Sequence, residues 1–232
     1  MIFSHFTLSI ILLSLVICAQ SVSLKLYDEA GYYQITPSDY DHKSSFIVSI
    51  WGGGSGSSTY KQNSQTYYCP GNSGSYIQMN VISLNRTFTL ALGSGGYSSL
   101  ASDSSELQPE YNQLEGNYSE LYSDGNFHIR IPGATPEGPN ENWILNYTAI
   151  DTVITKSDGI VYDCYEWDRI PNGGYGAYSP YGHSGGNYNG NPKCDGYMGS
   201  GSGYNCAYCM VDEHYSCIRP YKGGDGAMIL LY

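Results

Sequence analysis

Apolar positions along this chain gather in short segments of strand character, and almost nowhere follow the 3.6-residue period of a helix. Residues 45–51 (SFIVSIW) are β-branched and run into a glycine cluster. Residues 76–82 follow, and 87–92 (TFTLAL) alternate and stop at Gly93. Further strands are predicted at 127–131, 144–154, 159–165 and 227–232, and one at 24–35 interrupted by Gly31. Short strands separated by turn signals predict an all-β fold, an antiparallel β-sandwich of jelly-roll-like form.

The connections carry equal information. The runs at 52–56 (GGGSG) and 93–96 (GSGG) end strands where only glycine tolerates positive φ or a close backbone approach. Residues 98–125 are polar and read as a long, weakly structured insert. Residues 171–203 are Gly, Tyr, Ser and Asn with scarcely an aliphatic side chain, and read as a surface loop pinned by its flanking cysteines. No linker divides residues 22–232, so they are expected to form one domain.

The first 21 residues contain no Lys, Arg, Asp or Glu, and their apolar run at 8–17 is too short to cross a bilayer. They read as a cleaved secretory signal. Ile17 before Cys18 is too bulky for a lipoprotein site, and the missing basic residues point to a eukaryotic, extracellular product. No later segment predicts a membrane span. The formal net charge of -11 argues against nucleic acid and anionic lipid as partners.

Of seven cysteines, Cys18 belongs to the signal, which leaves Cys69, Cys164, Cys194, Cys206, Cys209 and Cys217. In an oxidising compartment an even number predicts disulfides, with the connectivity open. The alternative is a zinc site on Cys206 and Cys209 completed by Cys194, Cys217 or His214. Expected partners include N-glycans on three sequons, at Asn85, Asn117 and Asn146. No cofactor is predicted.

Catalytic patterns find no support. Ser184 in Gly182-His183-Ser184-Gly185-Gly186 has nucleophile-elbow spacing but neither the strand before it nor the helix after it. Residues 71–75 (GNSGS) lack matching His and Asp context, and no pair stands out among Asp163, Glu166 and Asp168. His42, His128, His183 and His214 show no metal spacing. The chain is therefore not expected to be an enzyme. Tyrosine, at 25 residues, far outnumbers the other aromatics. Tyr175, Tyr178, Tyr181 and Tyr188 lie among glycines, either packed over the domain's own face or exposed for an interface or for stacking on sugars.

The closing GGDGAMILLY, with FIVSIWGGGSGS and GNSGSYIQMNVISLNRTFTLALGSGG in that order, resembles a glycine-rich β domain of phage tail-fibre proteins and many secreted eukaryotic proteins. The matching pieces are residues 46–54, 71–82, 87–96 and 223–232. The chain departs from the pattern in its fewer glycines, its cysteines and its sequon-bearing middle, which argues against carrying over the polyglycine-helix layer of fibre-tip relatives. The resemblance implies a display or assembly module and brings no catalytic residues. The expected function is a secreted structural glycoprotein that self-assembles, with itself or paralogous subunits, into an extracellular filament or surface coat. Leu24, Leu26, Tyr33 and Ile35 are the candidates for adding a strand to a neighbour's sheet. The alternative is a monomeric carbohydrate-binding or adhesion module that uses the tyrosine loop on extracellular carbohydrate.

Overall fold

The computed structural model of the chain describes residues 22–62, 65–97, 114–124, 127–136, 138–139, 142–146, 150–161, 163–166, 177, 179–180, 182, 186–188, 191–193, 196–201, 210–211, 214–215 and 222–232. The strands are β1 (Leu24–Tyr27), β2 (Gly31–Ile35), β3 (Ser45–Trp51), β4 (Ser58–Gln62), β5 (Gln65–Cys69), β6 (Tyr76–Ile82) and β7 (Phe88–Leu92). They continue with β8 (Ser119–Ser123), β9 (Phe127–Ile131), β10 (Ala134–Thr135), β11 (Gly138–Pro139), β12 (Ile144–Leu145), β13 (Ile150–Ser157) and β14 (Tyr165–Glu166). The last are β15 (Gly186–Tyr188), β16 (Asn191–Lys193), β17 (Met210–Val211), β18 (His214–Tyr215) and β19 (Ala227–Leu231).

Two five-stranded antiparallel sheets, ordered β1-β19-β3-β6-β13 and β12-β9-β8-β7-β2, contribute to one hydrophobic core. Alternation explains the partition. In β9, Phe127, Ile129 and Ile131 are buried while His128 and Arg130 are half-buried on the opposite face. Phe46 of the first sheet meets Phe88 of the second edge to face at 5.5 Å, and Phe88 meets Phe127 at 5.3 Å. Each such fully buried side chain contributes about 1.5–3 kcal/mol of transfer free energy.

Several expectations need correction. Residues 24–35 are two strands in different sheets, parted at 28–30, with Gly31 inside the second. The run at 144–154 also divides, β12 joining the second sheet and β13 the first. Part of the expected insert at 98–125 is β8, the middle strand of the second sheet, because Leu121 is needed in the core. Residues 98–113 lie outside the described residues. The expected strand at 159–165 reduces to β14, which pairs with β5 beside the Cys69–Cys164 disulfide. That pairing joins residues 95 apart in sequence. Cys194, Cys206, Cys209 and Cys217 lie outside the described residues.

At one end of the sandwich the strands run into a layer whose hydrogen bonds lie mostly outside the sheet ladders. Segment 52–56 follows β3, 71–75 precedes β6, 93–97 follows β7, 114–117 precedes β8, 132–134 follows β9 and 223–226 precedes β19. The central segment donates from Gly52 to Ser75, from Gly53 to Asn117, from Gly54 to Gly224, from Ser55 back to Asn72, and from Gly56 back to Leu114, all at 2.8–2.9 Å. Gly53 and Gly54 accept from Ala134 and Gly96. The amides turn to a new neighbour at each residue and return after three, as in an extended helix of three residues per turn with no internal hydrogen bonds. The glycine-rich segments thus form a hydrogen-bonded bundle.

Close approach explains its glycines. A Cβ on Gly52 would lie 2.0 Å from the Pro132 carbonyl oxygen, and one on Gly54 would lie 2.1 Å from that of Ser200. Several buried serine hydroxyls bond the backbone of this layer. Ser119 Oγ, for example, bonds the Trp51 carbonyl at 2.7 Å and accepts from Gly93 N–H. The expected surface loop at 171–203 also contributes to this layer. Ala177, Ser179, Met198 and Ser200 are buried, and Met198 packs against Trp51 and Tyr76.

Candidate functional site

Three features of the described residues bear on function: the pinned end of the bundle, one sheet edge, and one sheet face. The pin is Asp225 of the GGDG motif. Its Oδ1 accepts from Gly95 N–H at 2.8 Å and from Lys222 Nζ, and its Oδ2 accepts from Ala30 N–H at 3.4 Å. Nearby, Tyr197 Oη donates to Asp28 Oδ2 at 2.7 Å, which ties the bundle to the connection between β1 and β2. The Asp28 bond first, and burial second, push the Tyr197 hydroxyl up to about 12. Raising a phenol favours its neutral form in the fold, so this stabilisation is complete below about pH 10 and is lost as pH rises through the folded value. The difference in melting temperature between wild type and Tyr197→Phe is expected to be constant near neutrality and to shrink between pH 10 and 12. A difference that persists unchanged to higher pH would contradict the pin.

The edge is β1. Ser23 and Tyr232 exchange both backbone bonds, at 2.9 and 3.1 Å. In an antiparallel ladder that narrow pair alternates with wide ones, so Lys25 and Tyr27 bond to β19 while the amides and carbonyls of Leu24 and Leu26 face outward. The two residues are 63% and 40% exposed and lie beside Leu231 and Ile229, of which Leu231 continues to Ile47 on β3 and Ile229 to Ser49. The result is an apolar strip along an edge to which no further strand is paired among the described residues. Tyr33 and Ile35 are in β2, the edge of the second sheet, paired to β7 within the chain. The four strand-addition candidates are thus edge residues already paired on one side, with no free arm among them.

The opposite edge of the first sheet is built differently. β13 carries two register shifts, contains Asp151 and Lys156 and is followed by Asp158, devices that blunt pairing.

The face is the outside of the second sheet. Register places Ile144, Arg130, Glu120, Ala91 and Tyr32 in one row across the strands, and His128, Tyr122, Thr89 and Gln34 in the next. Glu120 Oε1 accepts from His128 Nε2 at 2.9 Å and from Arg130 Nε at 2.8 Å. The Arg130 guanidinium stacks 4.2 Å from the Tyr118 ring centroid, and Tyr122 meets His128 edge-on at 6.1 Å. Reading 98–125 as an insert hid this cluster. Alternation in SELYS beside FHIRI was the signal that could have found it.

Other sequence candidates separate. Asn85 is exposed in a left-handed turn with φ 52°, its Oδ1 bonded to His42 Nδ1 at 3.1 Å. Asn117 is exposed and donates to Ser94 Oγ. Asn146 N–H donates to the His128 carbonyl at 3.0 Å. Ser73 is a buried bundle residue whose Oγ accepts from Ile160 N–H. Tyr188 ends β15 of a short hairpin, whereas Tyr175, Tyr178, Tyr181 and Ser184 lie outside the described residues. Among the described residues no group of three or more His, Cys, Asp or Glu is placed to hold a metal, and no helix is long and apolar enough to cross a membrane. Compared with known proteins, the chain matches no family model and no curated sequence.

Proposed function

We propose that this chain is a secreted structural glycoprotein whose jelly-roll-like sandwich assembles with copies of itself, edge to edge, towards an extracellular filament or surface coat. The observation that carries this reading is the β1 edge, where outward backbone groups of Leu24 and Leu26 coincide with exposed apolar side chains. Among the described residues the usual protections are missing there. β1 has no proline and no register shift, and its one charge, Lys25, is held by Asp39 at 2.5 Å. The apolar strip is of the kind that marks an interaction surface.

A second copy satisfies both needs at once. Antiparallel pairing about Leu26 extends the sheet across a twofold axis, sets Leu26 against its own equivalent, and places Lys25 opposite Tyr27. Such a contact closes as a dimer, and growth to a filament or coat takes a second, different contact. The resemblance to fibre-associated glycine-rich domains is in keeping with this reading.

Leu24→Lys with Leu26→Lys is the test. Negative-stain microscopy and light scattering of protein secreted from a eukaryotic host should show assemblies for wild type and, for the double variant, loss of the β1 contact as a clear fall in mass at equal concentration. Circular dichroism should be unchanged, because both side chains are exposed. Wild type that remains monomeric across dilution would sink the proposal.

A further inference from the structure

The outer face of the second sheet has unused bonding capacity. Among the described residues, Arg130 uses only Nε, Glu120 only Oε1 and His128 only Nε2 in hydrogen bonds to protein. Both terminal amino groups of Arg130, Oε2 of Glu120 and Nδ1 of His128 remain available for a ligand. Beside them lie the rings of Tyr118, 48% exposed, and Tyr122, 36% exposed. Flat aromatic rings next to a fixed carboxylate and guanidinium suit a pyranose, whose C–H face stacks on a ring while its hydroxyls meet charged donors and acceptors.

The position of Asn146 names the occupant. Ile144 pairs with Arg130 and Leu145 with Ile129, and Leu145 packs on the core, so Asn146 falls on the outward face beside His128. It thereby extends the row that runs from His128 to Tyr122. A glycan on its side chain begins about 5 Å, one strand spacing, from His128.

We propose that the N-glycan carried by Asn146 lies down across this face, its first sugars stacked on Tyr122 and held by Glu120, His128 and Arg130. The inference rests on the secreted-glycoprotein reading but not on self-assembly. The glycan would fix the face as a non-adhesive side of the module and leave the β1 edge as the side that associates.

The test uses native glycoprotein from a eukaryotic host, treated with peptide-N-glycosidase and followed site by site by mass spectrometry. Asn85, exposed in its turn, is the internal reference. Release at Asn146 is expected to be about tenfold faster in Tyr122→Ala with Arg130→Ala than in wild type, a factor that corresponds to one stacked ring, while Asn85 is unchanged. Nuclear Overhauser contacts between the glycan's acetyl methyls and the Tyr122 ring, read on wild type, need no variant. Equal release rates without such contacts overturn the inference. An unoccupied Asn146 beside an occupied Asn85 also overturns it and spares the glycoprotein reading, whereas no occupancy at any of the three sequons overturns both.

Discussion

Replacing Gly95 by alanine is expected to abolish the fold. An added Cβ would stand 1.8 Å from the Gly223 carbonyl oxygen and 2.4 Å from its carbon, and backbone cannot swing aside as a side-chain tip can. The same residue donates its N–H to Asp225, so any shift that relieves the clash also breaks the pin. Strands of both sheets enter the bundle at this end, and the damage therefore spreads to the core instead of staying in one loop. A loss beyond about 4 kcal/mol, seen as failure to secrete or as a collapsed melting transition, is the expected result. Tyr32→Ala, at an 81% exposed position, should stay within about 0.5 kcal/mol. A folded Gly95→Ala protein with near-native melting would mean that the bundle tolerates a side chain where the packing leaves no room.

The second large effect is expected from the disulfide. Cys69 and Cys164 are 95 residues apart, and the chain-entropy account assigns a cross-link of that span about 4–5 kcal/mol. The bridge also adjoins the only contact of β14 with its sheet among the described residues, Tyr165 opposite Tyr68 and Glu166 opposite Tyr67. The paired change Cys69→Ser and Cys164→Ser should therefore lower the free energy of unfolding by about 3–5 kcal/mol in a urea titration. A loss below about 1 kcal/mol would show that the unfolded chain is already restricted in that region.

Strands β7 and β9 leave a period-two record of their buried faces, in residues such as Phe127, Ile129 and Ile131, whereas β3 shows as a β-branched run that ends in glycine. Residues 144–154 misled because nothing in a mixed stretch of apolar and β-branched residues reveals that the chain changes sheets between Leu145 and Ile150. β8 was hidden for a different reason. Only Leu121 of its five residues is an aliphatic core residue, and its other buried position, Ser119, is polar.

The bundle leaves no hydrophobic period at all. Its signal is glycine placement, and its bonds join residues as distant as Gly54 and Gly224, which no local window links. In the site, GGDG was conspicuous, but the partners of Asp225, Gly95 and Ala30, come from distant turns. The cluster of Glu120, His128 and Arg130 became visible only once β8 and β9 were neighbours.

Amide hydrogen exchange at Leu24 and Leu26, followed across protein concentration, tests the central claim of edge-to-edge association most directly. In an isolated copy these two amides face the open edge and exchange fast, while those of Lys25 and Tyr27 are protected by β19. The account predicts that protection at Leu24 and Leu26 rises with concentration and that amides along β13 do not respond. Exchange at Leu24 and Leu26 that stays fast at every concentration, in a sample that nevertheless assembles, would place the contact elsewhere and contradict the account.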